Sequence, residues 1–290
     1  MRAASMTDKV LASSGALSDH PLRGDYSVCG SDFRVVQRFD LYRPADHALW
    51  RFLFARQAGL VKTHGSKAFR DGLAALDVAD SIPDFERASR LLRRTTGWEL
   101  LPVPGLIPND VFFDHLAHRR FPVSWWIREA GEIDYLVEPD VFHDFFGHVP
   151  LLGHRLFADS LQIYGEQGQK ALAAGEVKRL SRLYWYMMEF GLIRDEDGLR
   201  AFGAGILSSF GETRHAVTAP DATRLAFNLA RVLRSEYRID SYQATYFVID
   251  DFADLFDASR QDLLPIYRAL AALADIAPDG SLPEDRRIAL

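Results

Sequence analysis

A chain of 290 residues with 34 basic against 40 acidic side chains carries a formal net charge of −6 and offers no global basic footprint for nucleic acid. Its 48% hydrophobic content, with 12% aromatic residues, is ample for a sizeable core, and the length suits one large domain. The single cysteine, Cys29, excludes an intrachain disulfide and a cysteine-built metal site, and fits a reducing cytoplasm.

Met1 to Leu17 mixes Ser, Thr, Asp and Lys without a compact apolar run, and no stretch approaches a membrane span, so neither export nor a membrane is expected. Residues 1–30 read as a flexible lead-in, with structure beginning near Asp32. From Ala45, apolar groups recur at helical spacing until Gly59, which can stop a helix. Ser66 to Val78 and Phe85 to Arg94 read as two further helices, the latter announced by Pro83 and Asp84.

Trp98 to Val103 is a strand candidate, and Pro104, Gly105 and Pro108 turn the chain into a predicted helix, Asp110 to Arg119, carrying Phe112 and Phe113. Val123 to Ile127 is a second strand candidate and delivers Arg128 at its exit. Phe157 to Ala174 and Val177 to Phe190 are the strongest helical patterns, separated by Gly175. Asp195 to Gly198 suits a hairpin turn, and Gly203-Ala-Gly-Ile-Leu-Ser-Ser suits close approach to a ligand. Ala222 to Leu233 reads as helix, Tyr242 to Ile249 as an extended segment, Arg260 to Ala274 as a last helix, and 276–290 as an exposed tail.

The stretch Glu138-Pro-Asp-Val-Phe-His-Asp-Phe-Phe-Gly-His-Val-Pro150 sets His143 and His148 among aromatic residues, flanked by Glu138, Asp140 and Asp144. Nitrogen ligands in apolar surroundings suit a transition metal. On a regular α-helix, five residues turn the second side chain roughly 140° from the first, whereas four would leave about 40°. Both histidines can therefore meet one ion only if the helix is distorted or ends between them. Gly147 permits a break, and Pro150 pushes Val149 from helical geometry. Two unrelated histidines, one in the core and one at a helix end, remain the bland alternative.

Glu189 is the one charged residue within Leu183-Tyr-Trp-Tyr-Met-Met-Glu-Phe-Gly-Leu192. Burying an unpaired carboxylate is expensive, so Glu189 needs a cation or strong donors, either Arg182 or a metal. Two histidines and one carboxylate occupy one face of an ion and leave the rest open, the arrangement of non-haem Fe(II) oxygen chemistry. The same set also suits a zinc hydrolase, although the five-residue spacing departs from His-Glu-x-x-His. A helical protein whose histidines merely satisfy Glu189 is the non-enzymatic alternative.

At these residues the chain resembles the tetrahydropterin-dependent aromatic amino acid hydroxylases, and among them the short bacterial phenylalanine 4-hydroxylases. The likeness is carried, in family order, by Val103-Pro-Gly-Leu-Ile-Pro108, Arg119-Arg-Phe-Pro-Val-Ser-Trp-Trp-Ile-Arg128, the histidine stretch from Tyr135, Tyr184-Trp-Tyr-Met-Met-Glu-Phe-Gly-Leu192 and Gly203-Ala-Gly-Ile-Leu-Ser-Ser209. It implies a mainly α fold (α+β with a few short strands), a single helical catalytic domain of the aromatic amino acid hydroxylase type spanning 31–275.

The resemblance further implies a phenylalanine 4-monooxygenase that makes L-tyrosine from L-phenylalanine with O2 and tetrahydropterin at Fe(II). His143, His148 and Glu189 would hold the iron. Phe112, Gly105, Leu106 and Asp144 would meet the pterin. Arg128 would bind the substrate carboxylate, with Tyr135, Pro139, Trp185, Phe190, Ser208 and Ile239 around the substrate and Ser208 also near His143. Trp185 and the apolar Ile239 favour phenylalanine over tryptophan or tyrosine, since an apolar wall leaves a phenolic hydroxyl without a partner. A cytoplasmic monomer served by a pterin-recycling system completes the expectation.

Overall fold

The computed structural model describes residues 22–134, 136 and 138–289. The first long helix, α1 (Pro44–His64), opens on proline, and the Asp46 carboxylate accepts the Arg43 amide at 2.8 Å. It runs through Gly59 and is capped instead by Gly65, six residues later than the sequence suggests. Trp50, Leu53, Leu60 and Val61 are buried along it, and that packing offsets the roughly 1 kcal/mol that an internal glycine costs. Ser66 caps α2 (Lys67–Leu76) and Asp84 caps α3 (Phe85–Thr95).

Next come β1 (Glu99–Val103), α4 (Asn109–Ala117) and β2 (Arg120–Ser124). The two strands pair in parallel, Glu99 opposite Arg120, so α4 is their crossover and brings Phe112 to the edge of the site. The second strand begins three residues before the expected Val123, because Arg120 to Pro122 also pair with β1. Phe142–His148 and Val149–Gly153 lead into α5 (Arg155–Ala174), which Gly175 ends in the left-handed conformation. A seven-residue helix, α6 (Val177–Leu183), then passes directly into Tyr184–Glu189.

The four-stranded sheet has the order β4-β3-β6-β5, built from the hairpin β3 (Leu192–Asp195) and β4 (Gly198–Ala201) with β6 (Thr245–Ile249) and β5 (Thr223–Ala226) in parallel. Between β4 and β5 lie α7 (Ala204–Leu207) and α8 (Phe210–Thr218), two helices the sequence reading did not foresee. The segment Ala222 to Leu233 is not one helix. Its first half pairs with β6, and Asn228 caps a separate α9 (Leu229–Arg234). The last expected helix, Arg260 to Ala274, is the shorter α11 (Leu263–Leu270), and an unforeseen α10 (Phe252–Ser259) precedes it; the capping carboxylates of Asp262 and Asp251 start them.

Residues 1–21 of the expected lead-in lie outside the described residues, but the described ends make more contacts than their composition suggests. Tyr26, inside the expected lead-in, is buried and packs edge-on against Phe33 at 6.3 Å. At the other end most residues of 276–289 are exposed, yet Ala226 donates to the Arg286 carbonyl and Ile288 to that of Arg224, both at 2.8 Å. Asp285 there pairs with buried Arg231 at 2.9 Å. Among the described residues no helix is long and apolar enough to cross a membrane.

Candidate metal centre

The histidine stretch solves its spacing problem without breaking. Phe142–His148 is a turn of π-helix, in which hydrogen bonds run from residue i to i+5. Residues five apart therefore lie one above the other, and the His143 and His148 rings stand 5.2 Å apart. Phe142, Phe145 and Phe146 fill the buried side, Phe142 stacking on Phe146 at 4.8 Å and Phe145 on Phe85 at 5.9 Å. Gly147 is needed for contact rather than for a break. A Cβ there would lie 2.9 Å from the Ala204 side chain and 3.0 Å from its carbonyl oxygen.

A second π-turn, Tyr184–Glu189, carries the third donor. Glu189 places one carboxylate oxygen 3.5 Å from His143 Nε2 and the other 3.1 Å from His148 Nε2. One ligand atom from each of the three residues falls within 4.8 Å of the others, a compact N, N, O set. Arg182, the alternative partner for Glu189, is instead spent on Asp275 and the Leu233 carbonyl. Burial pushes the His143 imidazole down to about 4, outweighing the pull of Glu189. Burial also opposes ionisation of Glu189, but the two neighbouring histidines hold its carboxyl below the ordinary value. Neutral imidazole and ionised carboxylate are the states that ligate a cation.

Ser208, just past α7, meets His143 Nδ1 at 2.9 Å through its hydroxyl. That contact fixes the ring and directs Nε2 to the centre. The donors therefore fit a divalent transition metal with open positions: three protein ligands on one side, and an orienting partner behind one of them.

Behind the π-turn sits a buried ion pair. Arg128, 7% exposed, sends Nε and Nη2 to the two oxygens of fully buried Asp140 at 2.9 and 2.8 Å. Asp140 also accepts the Arg128 amide at 2.9 Å and the His143 amide at 3.0 Å. Nη1 reaches the Ile133 carbonyl at 3.3 Å. By the guanidinium's donor count, the partners among the described residues leave one N–H on each of Nη1 and Nη2.

Glu138 and Asp144 shape the opposite side. Buried Glu138 accepts the amides of Leu106 at 3.3 Å and Arg23 at 2.9 Å, while Tyr26 donates to the Leu106 carbonyl at 2.9 Å. Gly105 is required beside them, since a Cβ there would come within 2.3 Å of Glu138 Oε1. Asp144 accepts the Ser124 amide at 2.8 Å, and burial lifts its carboxyl to about 7 against that bond. Half-buried Phe112 meets the edge of Tyr184 at 5.6 Å, and Tyr184 in turn lies 6.1 Å from His148.

Trp185 and Phe190 form one wall, ring centroids 4.9 Å apart, and the Trp185 face stacks on Tyr237 at 4.4 Å and 15°. Pro139 is half-buried, directly before Asp140. Ile239, by contrast, is 45% exposed and stands outside this packed wall. Tyr135 lies outside the described residues. Sequence reasoning missed Tyr237, Gln243 and the specific work of Glu138 and Asp140. The two carboxylates were visible as flanking charges, whereas nothing in the local sequence of Tyr237 or Gln243 marks them.

The comparisons with known proteins point the same way as this geometry. The model of the family described as biopterin-dependent aromatic amino acid hydroxylase matches residues 30–271. The chain is 50% identical over 255 residues to a phenylalanine-4-hydroxylase of Chromobacterium violaceum, covering 86% of each, and 50% identical over 243 residues to one of Ralstonia nicotianae, covering 83% of this chain and 78% of the relative. The crystal structure of the Chromobacterium violaceum phenylalanine hydroxylase with iron and phenylalanine bound superposes with a TM-score of 0.86 at 46% identity, covering 89% of this chain and 95% of that one. With its matched length and its two-histidine, one-carboxylate centre, the chain belongs to the biopterin-dependent aromatic amino acid hydroxylases.

Proposed function

We propose that the chain is a phenylalanine 4-monooxygenase that hydroxylates L-phenylalanine to L-tyrosine with O2 and tetrahydropterin at a non-haem Fe(II) held by His143, His148 and Glu189. The observation that carries this reading is the convergence of those three donors within 4.8 Å on two π-turns, with no fourth His, Cys, Asp or Glu joining the group among the described residues. Iron and reduced pterin supply the activation of O2, chemistry that no side chain provides. The similarity to named phenylalanine hydroxylases supports the choice of substrate.

The chain's own residues then bind, orient and shield. Arg128 has two N–H groups uncommitted among the described residues to offer an amino acid carboxylate, and Asp140 holds the guanidinium plane in place. Trp185, Phe190 and Pro139 offer an apolar wall to an aromatic ring. Phe112 offers a flat face to a pterin, and the Gly105–Leu106 backbone, held by Glu138 and Tyr26, lies ready to hydrogen-bond its edge. Asp144, whose carboxyl burial lifts to about 7 and which accepts the Ser124 amide, supplies a further polar contact. Ser208 keeps His143 in its ligating orientation. Residence in the cytoplasm as a monomer, with a separate system to recycle spent pterin, belongs to the same reading.

The test is to load purified protein with Fe(II) and supply tetrahydropterin, O2 and phenylalanine. Tyrosine should form in proportion to pterin oxidised. Absence of tyrosine from protein carrying one iron per chain would overturn the proposal.

A further inference from the structure

Between α9 and β6 the chain passes over the aromatic wall, and its anchor is a single buried amide. Gln243 is 3% exposed, whereas Ile239 and Tyr242 just before it are 45% and 53% exposed. Its side-chain oxygen accepts the Trp185 indole N–H at 3.0 Å, and its side-chain nitrogen donates to the carbonyls of Arg238 at 2.9 Å and Ser241 at 3.4 Å. An indole only donates and a carbonyl only accepts, so these partners admit one orientation of the amide. The Gln243 backbone N–H is held in turn by Glu212 at 3.1 Å, a buried carboxyl that also accepts the Tyr246 hydroxyl.

Trp185 is thereby tied to the 237–242 segment twice, through its edge by Gln243 and through its face by Tyr237. Stacking alone leaves a ring free to slide in its plane, and a hydrogen bond at the rim removes that freedom. A second element pins the segment from outside: a Cβ at Gly211 would come within 1.8 Å of the Tyr242 hydroxyl oxygen.

We propose that Gln243 is a positioning residue for the aromatic substrate, locking the Trp185 indole and the 237–242 segment into one rigid wall. The inference rests on the proposed function, in which Trp185 faces the substrate ring. Gln243 itself touches neither substrate nor cofactor. Its effect is confined to the substrate side, because its partners lie in that wall and none of them is a donor to the metal or part of the Gly105–Leu106 loop.

The experiment replaces Gln243 in the iron-loaded protein. Gln243→Met keeps the length and removes both polar atoms. Gln243→Glu keeps an acceptor for Trp185 and withdraws the donor from the Arg238 and Ser241 carbonyls, so it is the second variant should the first fail to fold. Loss of the Trp185 hydrogen bond alone corresponds to about a fivefold rise in KM for phenylalanine, accompanied by less tyrosine per pterin oxidised as the ring loses its aim. KM for tetrahydropterin and iron content should stay at wild-type values. In a Trp185→Phe background, which has no indole donor, adding Gln243→Met should raise KM for phenylalanine much less.

A uniform loss of iron, pterin and phenylalanine affinity would mark Gln243 as merely structural and overturn the inference, as would an unchanged KM and coupling ratio. Tyrosine production by wild-type protein in the same assay separates failure of this inference from failure of the underlying reading. Should wild type make none, the solvent exchange of the Trp185 indole proton decides by itself: faster exchange in Gln243→Met supports the lock, and equal exchange refutes it.

Discussion

Asp140→Asn is the substitution in which the structure makes its most quantitative statement. The carboxylate is fully buried and accepts four N–H groups, two on each oxygen: the Arg128 amide and Nε on one, Arg128 Nη2 and the His143 amide on the other. An asparagine is almost isosteric, but its NH2 must face two donors whichever way it flips. It also leaves the 7% exposed Arg128 guanidinium without its counter-charge. Removing one partner of a buried pair costs about 3–5 kcal/mol. With roughly 2–4 °C of transition temperature per kcal/mol in domains approaching this size, the midpoint should fall on the order of 10 °C.

Calorimetry of the metal-free protein, paired with urea unfolding to check that the m-value is unchanged, measures this directly. Combining Arg128→Met with Asp140→Asn should recover part of the loss, because it removes the stranded charge. A midpoint within about 2 °C of wild type would mean a pair worth less than 1 kcal/mol. It would refute the argument that Asp140 braces both the guanidinium and the start of the π-turn.

Four further outcomes follow from the site and its surroundings. Glu189→Ala should abolish stoichiometric iron binding and tyrosine formation while circular dichroism stays native; full iron occupancy in the variant would remove Glu189 from the ligand set. Ser208→Ala, which deletes the partner of His143 Nδ1, should weaken iron by about 10–100-fold in a chelator competition, the usual effect of removing a hydrogen bond behind a ligand. Gly147→Ala inserts a methyl 2.9 Å from Ala204 and should destabilise the fold by about 1–3 kcal/mol, with iron affinity falling alongside; a neutral result would restore the view of Gly147 as a mere break. Glu212 has its carboxyl lifted to about 7 by burial, so the folded state holds its proton more tightly than the unfolded chain. The associated stability is complete at pH values below the ordinary carboxyl range and is lost as pH rises through about 7, by at most about 3 kcal/mol. Glu212→Gln should flatten urea midpoints compared across that window, and an unchanged slope would assign the pH dependence elsewhere.

The ligand set was legible in the sequence because its logic is chemical. Two imidazoles in an aromatic stretch and a lone carboxylate in an apolar one each require a partner, and one ion satisfies all three. The helices with strong apolar spacing and clear start signals, α2, α3 and α5, likewise follow from local rules. What sequence reading missed depends on pairing at a distance. Thr223–Ala226 becomes a strand only because β6 lies beside it, and Tyr237 and Gln243 gain their positions from Trp185, some fifty residues earlier.

The five-residue interval between the histidines is the most instructive case. Judged against a period of 3.6 it demanded a distortion or a break, and Gly147 was the obvious place for a break. The structure keeps the helix and changes its period. A widened turn aligns residues five apart, and the same device recurs at Tyr184–Glu189, where it sets Tyr184 over the approach to His148 and Glu189 into the centre. Such turns are poorer than α-helix on their own and persist where packing enforces them. Here the enforcement is visible: Asp140 holds the His143 amide at the start of the first turn, and Ala204 presses on Gly147 near its end. Gly205 lies against Glu189 at the end of the second, where a Cβ on Gly205 would come 3.1 Å from the Glu189 carbonyl oxygen. A short helix, α7, thus contacts both π-turns, and Ser208 just beyond it orients His143. The metal centre is a property of that three-way contact, so a substitution in α7 that touches no ligand should disturb iron binding as surely as one in the ligands' own turns.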